Sequence, residues 1–229
     1  MAVDIATTGN RYTIDRILGA SVHTTAGTSQ DWLIDPGPEQ LSVAPDKHHG
    51  ITLQQARADG RDAAQALDEL ATVLASHMAT PAPLVAWHAP IVLTTLETEL
   101  LRHELRSLSD RVPNGLQPIC DPLVLDRHAA PCRFGRRSLE DVTEWYGVAH
   151  DCPSHPSHDA KASLIVAYNV GACYPSIGRL SSSSLHKKQV HWHEKQMQEA
   201  KIRYPSGDWN RLWPIAAVEV QPWQDHLAE

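Results

Sequence analysis

The sequence predicts an α/β fold in which a mixed sheet is covered by helices. Three observations carry that prediction. The opening 35 residues hold three short apolar runs divided by turn clusters. From Ala63 onward the apolar period lengthens from two to between three and four. Strand-like and helix-like segments then alternate, giving the order β-β-β-α-β-α-β-α-α, the pattern of a sheet flanked by helices.

Met1-Ala2-Val3-Asp4-Ile5-Ala6 reads as a strand ended by the turn cluster Thr7-Thr8-Gly9-Asn10. Arg16 to His23 and Asp31 to Asp35 give two more strands, joined by Thr24-Thr25-Ala26-Gly27-Thr28 as an antiparallel meander and stopped by Pro36-Gly37-Pro38. Ala63, Ala66, Leu67, Leu70, Val73 and Leu74 mark a helix ending near His77, before Pro81 and Pro83. Leu84-Val85-Ala86-Trp87 is a fourth strand. Leu93 to Arg106 is a helix, and Pro118 to Asp121 a fifth strand. Ser138 and Asp141 form a capping box opening a helix that ends at Tyr146-Gly147, and His158 to Tyr174 is another helix. Beyond Pro175 the composition turns polar. Ser181 to Ser184 precede a helix over Leu185 to Ile202, and Trp209, Trp213 and Trp223 follow. Residues 1–174 therefore read as one domain and 175–229 as a helical C-terminal arm, folded back or used in pairing.

With 229 residues the chain can bury a substantial core. It carries 20 Lys and Arg against 27 Asp and Glu, a net charge of -7, which disfavours non-specific nucleic-acid binding because that binding needs cations against phosphates. No stretch is long and apolar enough for a membrane helix. The first residues lack the basic and apolar regions of an export signal, so Cys120, Cys132, Cys152 and Cys173 are expected as reduced thiols in a cytoplasm.

Five segments in order carry a further signal. These are Val3-Asp4-Ile5-Ala6-Thr7-Thr8-Gly9, His49-Gly50-Ile51-Thr52, Val85-Ala86-Trp87-His88-Ala89-Pro90-Ile91-Val92, Cys120-Asp121-Pro122-Leu123 with Ser138-Leu139 and Tyr146-Gly147-Val148, and His158-Asp159-Ala160-Lys161-Ala162-Ser163. Together they resemble the motifs of the DEDDh 3′-5′ exonucleases, the proofreading-exonuclease family. The resemblance implies an RNase H-like fold with a mixed five-stranded sheet over residues 1–174. In that family four acids hold two divalent metals and a histidine deprotonates the attacking water. Carried over by position, the first acid is Asp4 and the base is His158. The second, third and fourth acids fall on Ala6, Val92 and Ser163.

One carboxylate of four then remains. Mg²⁺ leaves its hydration shell only for clustered oxygen ligands. Each missing carboxylate removes about 4 kcal/mol of attraction at short range for an effective dielectric near 20. Two-metal hydrolysis is therefore not expected, and no two-magnesium site with it. The expected function is instead a degenerate exonuclease relative, a pseudoenzyme or a repurposed one. Its old cleft would bind or convert a small molecule or nucleotide, lined by Ala6, Thr7, Thr8, His88, Ile91, Val92 and Ser163, with His49 touching the ligand by resemblance. The alternative is a residual metal-dependent exonuclease on single-stranded DNA or RNA, drawing ligands from Asp159, Asp151 or a partner chain.

Histidine offers other chemistry. Asp4, His88 and His158 make a two-imidazole, one-carboxylate set suited to a single transition metal. Cys152, His155 and His158 stand at three-residue intervals within zinc or copper spacing, although Pro153 and Pro156 predict an extended loop there. His158 and Ser163 could pair as base and hydroxyl. His186, His191 and His193 are expected on the surface of the arm. Arg133-Phe134-Gly135-Arg136-Arg137 and His186-Lys187-Lys188 are the places resembling weak nucleic-acid contacts, and solvation explains them more simply. A homodimer through the arm is the remaining partner expectation.

Overall fold

In the computed structural model, residues 1–9, 11, 13–38, 41, 49–207, 209 and 212–216 are described. The chain opens with β1 (Ala2–Thr7), β2 (Ile17–His23) and β3 (Ser29–Asp35), an antiparallel meander with Ala2 opposite His23 and Gly19 opposite Leu33. Thr52 caps α1 (Leu53–Asp59) by accepting from the Gln55 N–H. The short strand β4 (Arg61–Asp62) follows, and its Asp62 caps α2 (Ala63–Met78). Then come β5 (Leu84–Val85), α3 (Ala89–Arg102), α4 (Leu108–Arg111), β6 (Ile119–Cys120), α5 (Pro122–Ala129) and α6 (Leu139–Trp145). The chain continues through α7 (Pro156–Cys173), α8 (Pro175–Gly178) and α9 (Ser182–Arg203).

The sheet runs β4-β3-β2-β1-β5-β6. β5 lies parallel to β1 and β6 parallel to β5, so the sheet is mixed as expected. It has six strands rather than five. The extra one, β4, pairs in parallel with β3 through two exposed residues. A pair that short has no periodicity to read, and it ends in the cap of the next helix.

Successive strand residues face opposite sides. Val3 therefore joins Leu67, Leu70, Leu93 and Leu96 in the principal core under α2 and α3. Ala2 joins Val85, Leu125, Val142 and Val166 in a second core under α5, α6 and α7. Ala2, Asp4 and Ala6 share one face, and Ala6 is sealed by Leu18, Ile51 and Ala56. Both core faces of the sheet are therefore covered by helices, which is why the short parallel strands read as continuous apolar runs.

Helix boundaries depart from expectation where caps outrank periodicity. Ala89 begins α3 four residues before Leu93, because Pro90 stands in its first turn and Asp121 accepts from the His88 and Ala89 N–H groups. Pro156 likewise sits in the first turn of α7, where its missing N–H costs nothing. His158 and Asp159 are thus helical, as the expected helix over His158 to Tyr174 has them, and the helix starts two residues earlier.

The arm is folded back. Its His186, Gln189 and His193 are buried, which corrects the surface expectation for His186 and His193; His191 is exposed. His186 and Gln189 bond to the edge strand β6. The Ile119 N–H donates to His186 Nδ1 at 3.1 Å, the Asp121 N–H to Gln189 Oε1 at 2.7 Å, and Gln189 Nε2 to the Ile119 carbonyl at 3.0 Å. Side chains of α9 so satisfy the open edge of β6, which would otherwise invite pairing with another chain. Trp213 is buried in the principal core, and Trp223 lies outside the described residues.

Candidate functional site

The face predicted to carry chemistry is built where β1 ends, α3 and α7 begin, and the chain turns after β5. Asp4 is half-buried on β1. Burial, reinforced by the like charge of Asp159, pushes its carboxyl well above the ordinary value, and the Ile5 N–H pulls it back. Asp159, in the first turn of α7, is also raised, chiefly by burial. It accepts from His150 Nε2 at 2.7 Å and from the Ser154 N–H at 3.0 Å, which oppose that rise. The structure therefore sets two half-buried carboxyls within electrostatic reach of each other. Sequence reasoning named Asp159 as a substitute acid but missed its pairing with His150, nine residues upstream.

His88 occupies the N-cap position of α3 with a left-handed φ of 54° and no side-chain cap of its own. Asp121 holds that backbone, accepting from His88 N–H at 3.1 Å and Ala89 N–H at 2.9 Å. The His88 residue keeps exposed surface. Protein packed around the ring, with the nearby Arg127 cation second, still lowers its pKa to about 4, so it is a neutral imidazole at physiological pH. Asp121 was assigned to a strand in the sequence reading. An aspartate directly before a proline and an apolar run is the signature of an N-cap with proline at N1 and would have revealed it.

His49 packs behind β1. Its Nδ1 accepts from the Ile51 N–H at 3.2 Å, which leaves the ring proton on Nε2 to donate to the Thr7 carbonyl at 3.0 Å. The Thr7 hydroxyl donates to the Gly9 carbonyl at 2.6 Å. Thr8 is buried, with its hydroxyl accepting from the Arg16 N–H at 2.9 Å.

The three positions that carry no acid are closed to solvent. Ala6 is 2% exposed, Val92 3% and Ser163 0%. They belong to the interior and offer a ligand no surface, contrary to the expectation that they line a cleft. Ser163 Oγ has no hydrogen-bond partner among the described residues, so the Ser163–His158 pair is not formed. Thr7, Ile91 and His158 are half-buried and remain accessible.

No group of three or more His, Cys, Asp or Glu among the described residues is placed to hold a metal. Asp4, His88 and His158 are therefore not assembled as a ligand set. Nor are Cys152, His155 and His158: Cys152 is exposed, and the two imidazoles meet edge to face at 5.7 Å between centroids. Asp4 lies on β1, His88 at the N-cap of α3 and His158 in α7.

The loop between α5 and α6 is basic and aromatic. Arg133 and Arg137 both pair with the buried Asp126, at 3.1 and 2.6 Å. Two guanidiniums on one carboxylate leave a positive excess, to which the exposed Arg136 adds. Arg133 stacks over Trp145 at 5.5 Å, and Phe134 is 95% exposed at the tip of the same loop. No helix among the described residues is long and apolar enough to cross a membrane.

No family model and no curated protein matches the chain. Solved structures do. E. coli exonuclease I in complex with a dA16 oligonucleotide superposes with a TM-score of 0.63 at 17% identity, covering 87% of this chain and 44% of that one. Its complex with dT13 gives 0.58 at 17%, covering 78% and 42%. Exonuclease I from Methylocaldum szegediense gives 0.60 at 20%, covering 89% and 45%. The chain spans less than half the length of these proteins. Its fold is the RNase H-like exonuclease fold.

Proposed function

We propose that this chain binds the end of a single-stranded nucleic acid, or the nucleotide that terminates it, without cleaving it by a two-metal route. The binding surface is formed by Asp4, Thr7, His88, Ile91 and His158, with His49 fixing the end of β1 from behind. The observation that carries the non-hydrolytic reading is the closure of positions 6, 92 and 163 by Ala, Val and Ser in the interior. A dication there would face Asp4 and Asp159 in place of four acids, and burial pushes both of these toward their neutral forms. The nucleic-acid reading is supported by the likeness to exonuclease I, structures of which hold oligonucleotides. The arginines and exposed Phe134 of the loop after α5 supply local positive charge and a stacking face on an otherwise acidic chain. In this reading residues 1–174 form the exonuclease-like domain and 175–229 the extension that buttresses it.

One observation favours a second reading, a residual exonuclease. The like charge of Asp159 raises Asp4's cost of ionisation, a strain that a bound cation relieves. A labelled single-stranded oligonucleotide separates the two. Under the proposal, fluorescence anisotropy shows salt-dependent binding that persists in EDTA, and no trimming occurs with Mg²⁺ or Mn²⁺. Trimming that disappears in Asp4→Asn would overturn it.

A further inference from the structure

At the opposite end of α7 lies an open cleft of about 770 Å³, within the range of small-molecule sites. Its wall is Leu164, Ile165, Ala167 and Tyr168 of α7, and its far side is Ile177 and Leu180 around α8. It lies two residues along the β1–β2 pair from Asp4: Asp4 stands opposite Ser21, and His23, which lines the cleft, stands opposite Ala2. The cleft is built rather than incidental. α8 turns so tightly beneath α7 that a Cβ on Gly178 would sit 2.2 Å from the Gly171 carbonyl oxygen, and both glycines line the cavity.

The cleft is apolar within and cationic at its rim. No Asp or Glu is among its lining residues. His23 gives Nδ1 to Ser29 Oγ at 2.7 Å, which leaves Nε2 for a ligand. Lys161, one turn before Leu164, is exposed and near enough that its ammonium, after burial, depresses the His23 pKa. Arg179 is exposed between the lining residues Gly178 and Leu180. Tyr168, 76% exposed, presents its ring at the opening.

We infer that this cleft binds a linear alkyl carboxylate, with the chain lying along α7 against Ile177 and Leu180 and the carboxylate at His23 and Lys161. An apolar wall stabilises the methylenes, and a cationic rim without acids selects the anionic head over a neutral or positive one.

Isothermal titration calorimetry of the full chain with dodecanoate, dodecanol and dodecylammonium tests it. Dodecanoate binds, and the other two bind at least roughly ten-fold more weakly. Lys161→Glu costs dodecanoate a similar factor and leaves dodecanol unchanged. Ala167→Phe abolishes binding by filling the cleft; Ala172→Trp, at an exposed lining position, makes the same test should the first change prevent folding. Equal affinity for the three probes, no binding of dodecanoate, or binding untouched by both filling variants would overturn the assignment. An apolar peptide segment competing with dodecanol but not with dodecanoate would overturn it in favour of a protein partner.

Discussion

Asp4 and Asp121 are both aspartates drawn into the protein, and burial raises the pKa of each. Their surroundings differ. Asp121 is fully buried but accepts from the His88, Ala89 and Leu123 N–H groups, with Trp213 Nε1 at 3.5 Å. Its own N–H is taken by Gln189. It therefore ties β6, α3, α5, α9 and the segment after α9 into one junction. Asp4 has the Ile5 N–H and, facing it, a second carboxyl. One aspartate is satisfied and holds the fold together. The other is left under strain at an accessible surface, which is where perturbed groups mark function.

The largest effect expected from this contrast comes from Asp121→Ala. It strands buried donors on three elements, and a loss of about 3 kcal/mol or more in urea unfolding is expected. A loss below about 1 kcal/mol would remove Asp121 from its place as the junction. Gln189→Ala should cost about 2 kcal/mol, since it exposes the Asp121 N–H and the Ile119 carbonyl on the edge of β6. It should also promote self-association, read by sedimentation as a concentration-dependent mass; an unchanged monomer of normal stability would show that α9 merely rests on the sheet.

Asp4→Asn should act in the opposite sense. A carboxyl whose folded pKa is raised destabilises the fold as pH climbs from the ordinary value through the raised one, and costs nothing below both. The variant should therefore gain about 1 kcal/mol at pH 7.5, with no difference from the parent near pH 3. Destabilisation at pH 7.5 would erase the distinction between the two aspartates.

At neutral pH the smallest effect belongs to His88. Its folded pKa of about 4 lies below that of the unfolded chain, so its neutral form contributes stability above the unfolded value, and this is lost as pH falls toward 4. Replacement by Asn should flatten the stability profile across that window and leave it unchanged above pH 7. The His88 imidazole resonance followed by NMR should titrate near the lower end. Titration near 6.5 would mean that solvent, not the surrounding protein, governs the ring.

Much of the scaffold was readable from residues alone. Strands β1 to β3 were legible because apolar runs ended in turn clusters, and α2 and α6 because Ala66, Leu67, Leu70 and Leu74 keep helical spacing and Ser138 with Asp141 caps its own helix. α1, β4, α4, α5 and α8 escaped because each has eight residues or fewer, too few for a period to emerge. In the site, the identity of the residues at positions 4, 6, 92, 158 and 163 was legible, but their exposure was not. Ala6, Val92 and Ser163 were taken for cleft walls and are interior.

What the chain's letters settle by themselves is local: which segments are strands or helices, and where caps stop them. Those follow from backbone sterics and short-range spacing, which neighbours along the chain decide. Folding in three dimensions decided the rest. It set Asp159 against Asp4, turned His186 and Gln189 from a polar arm onto an open sheet edge, and closed three cleft positions to water, because burial and electrostatic coupling depend on partners many residues away.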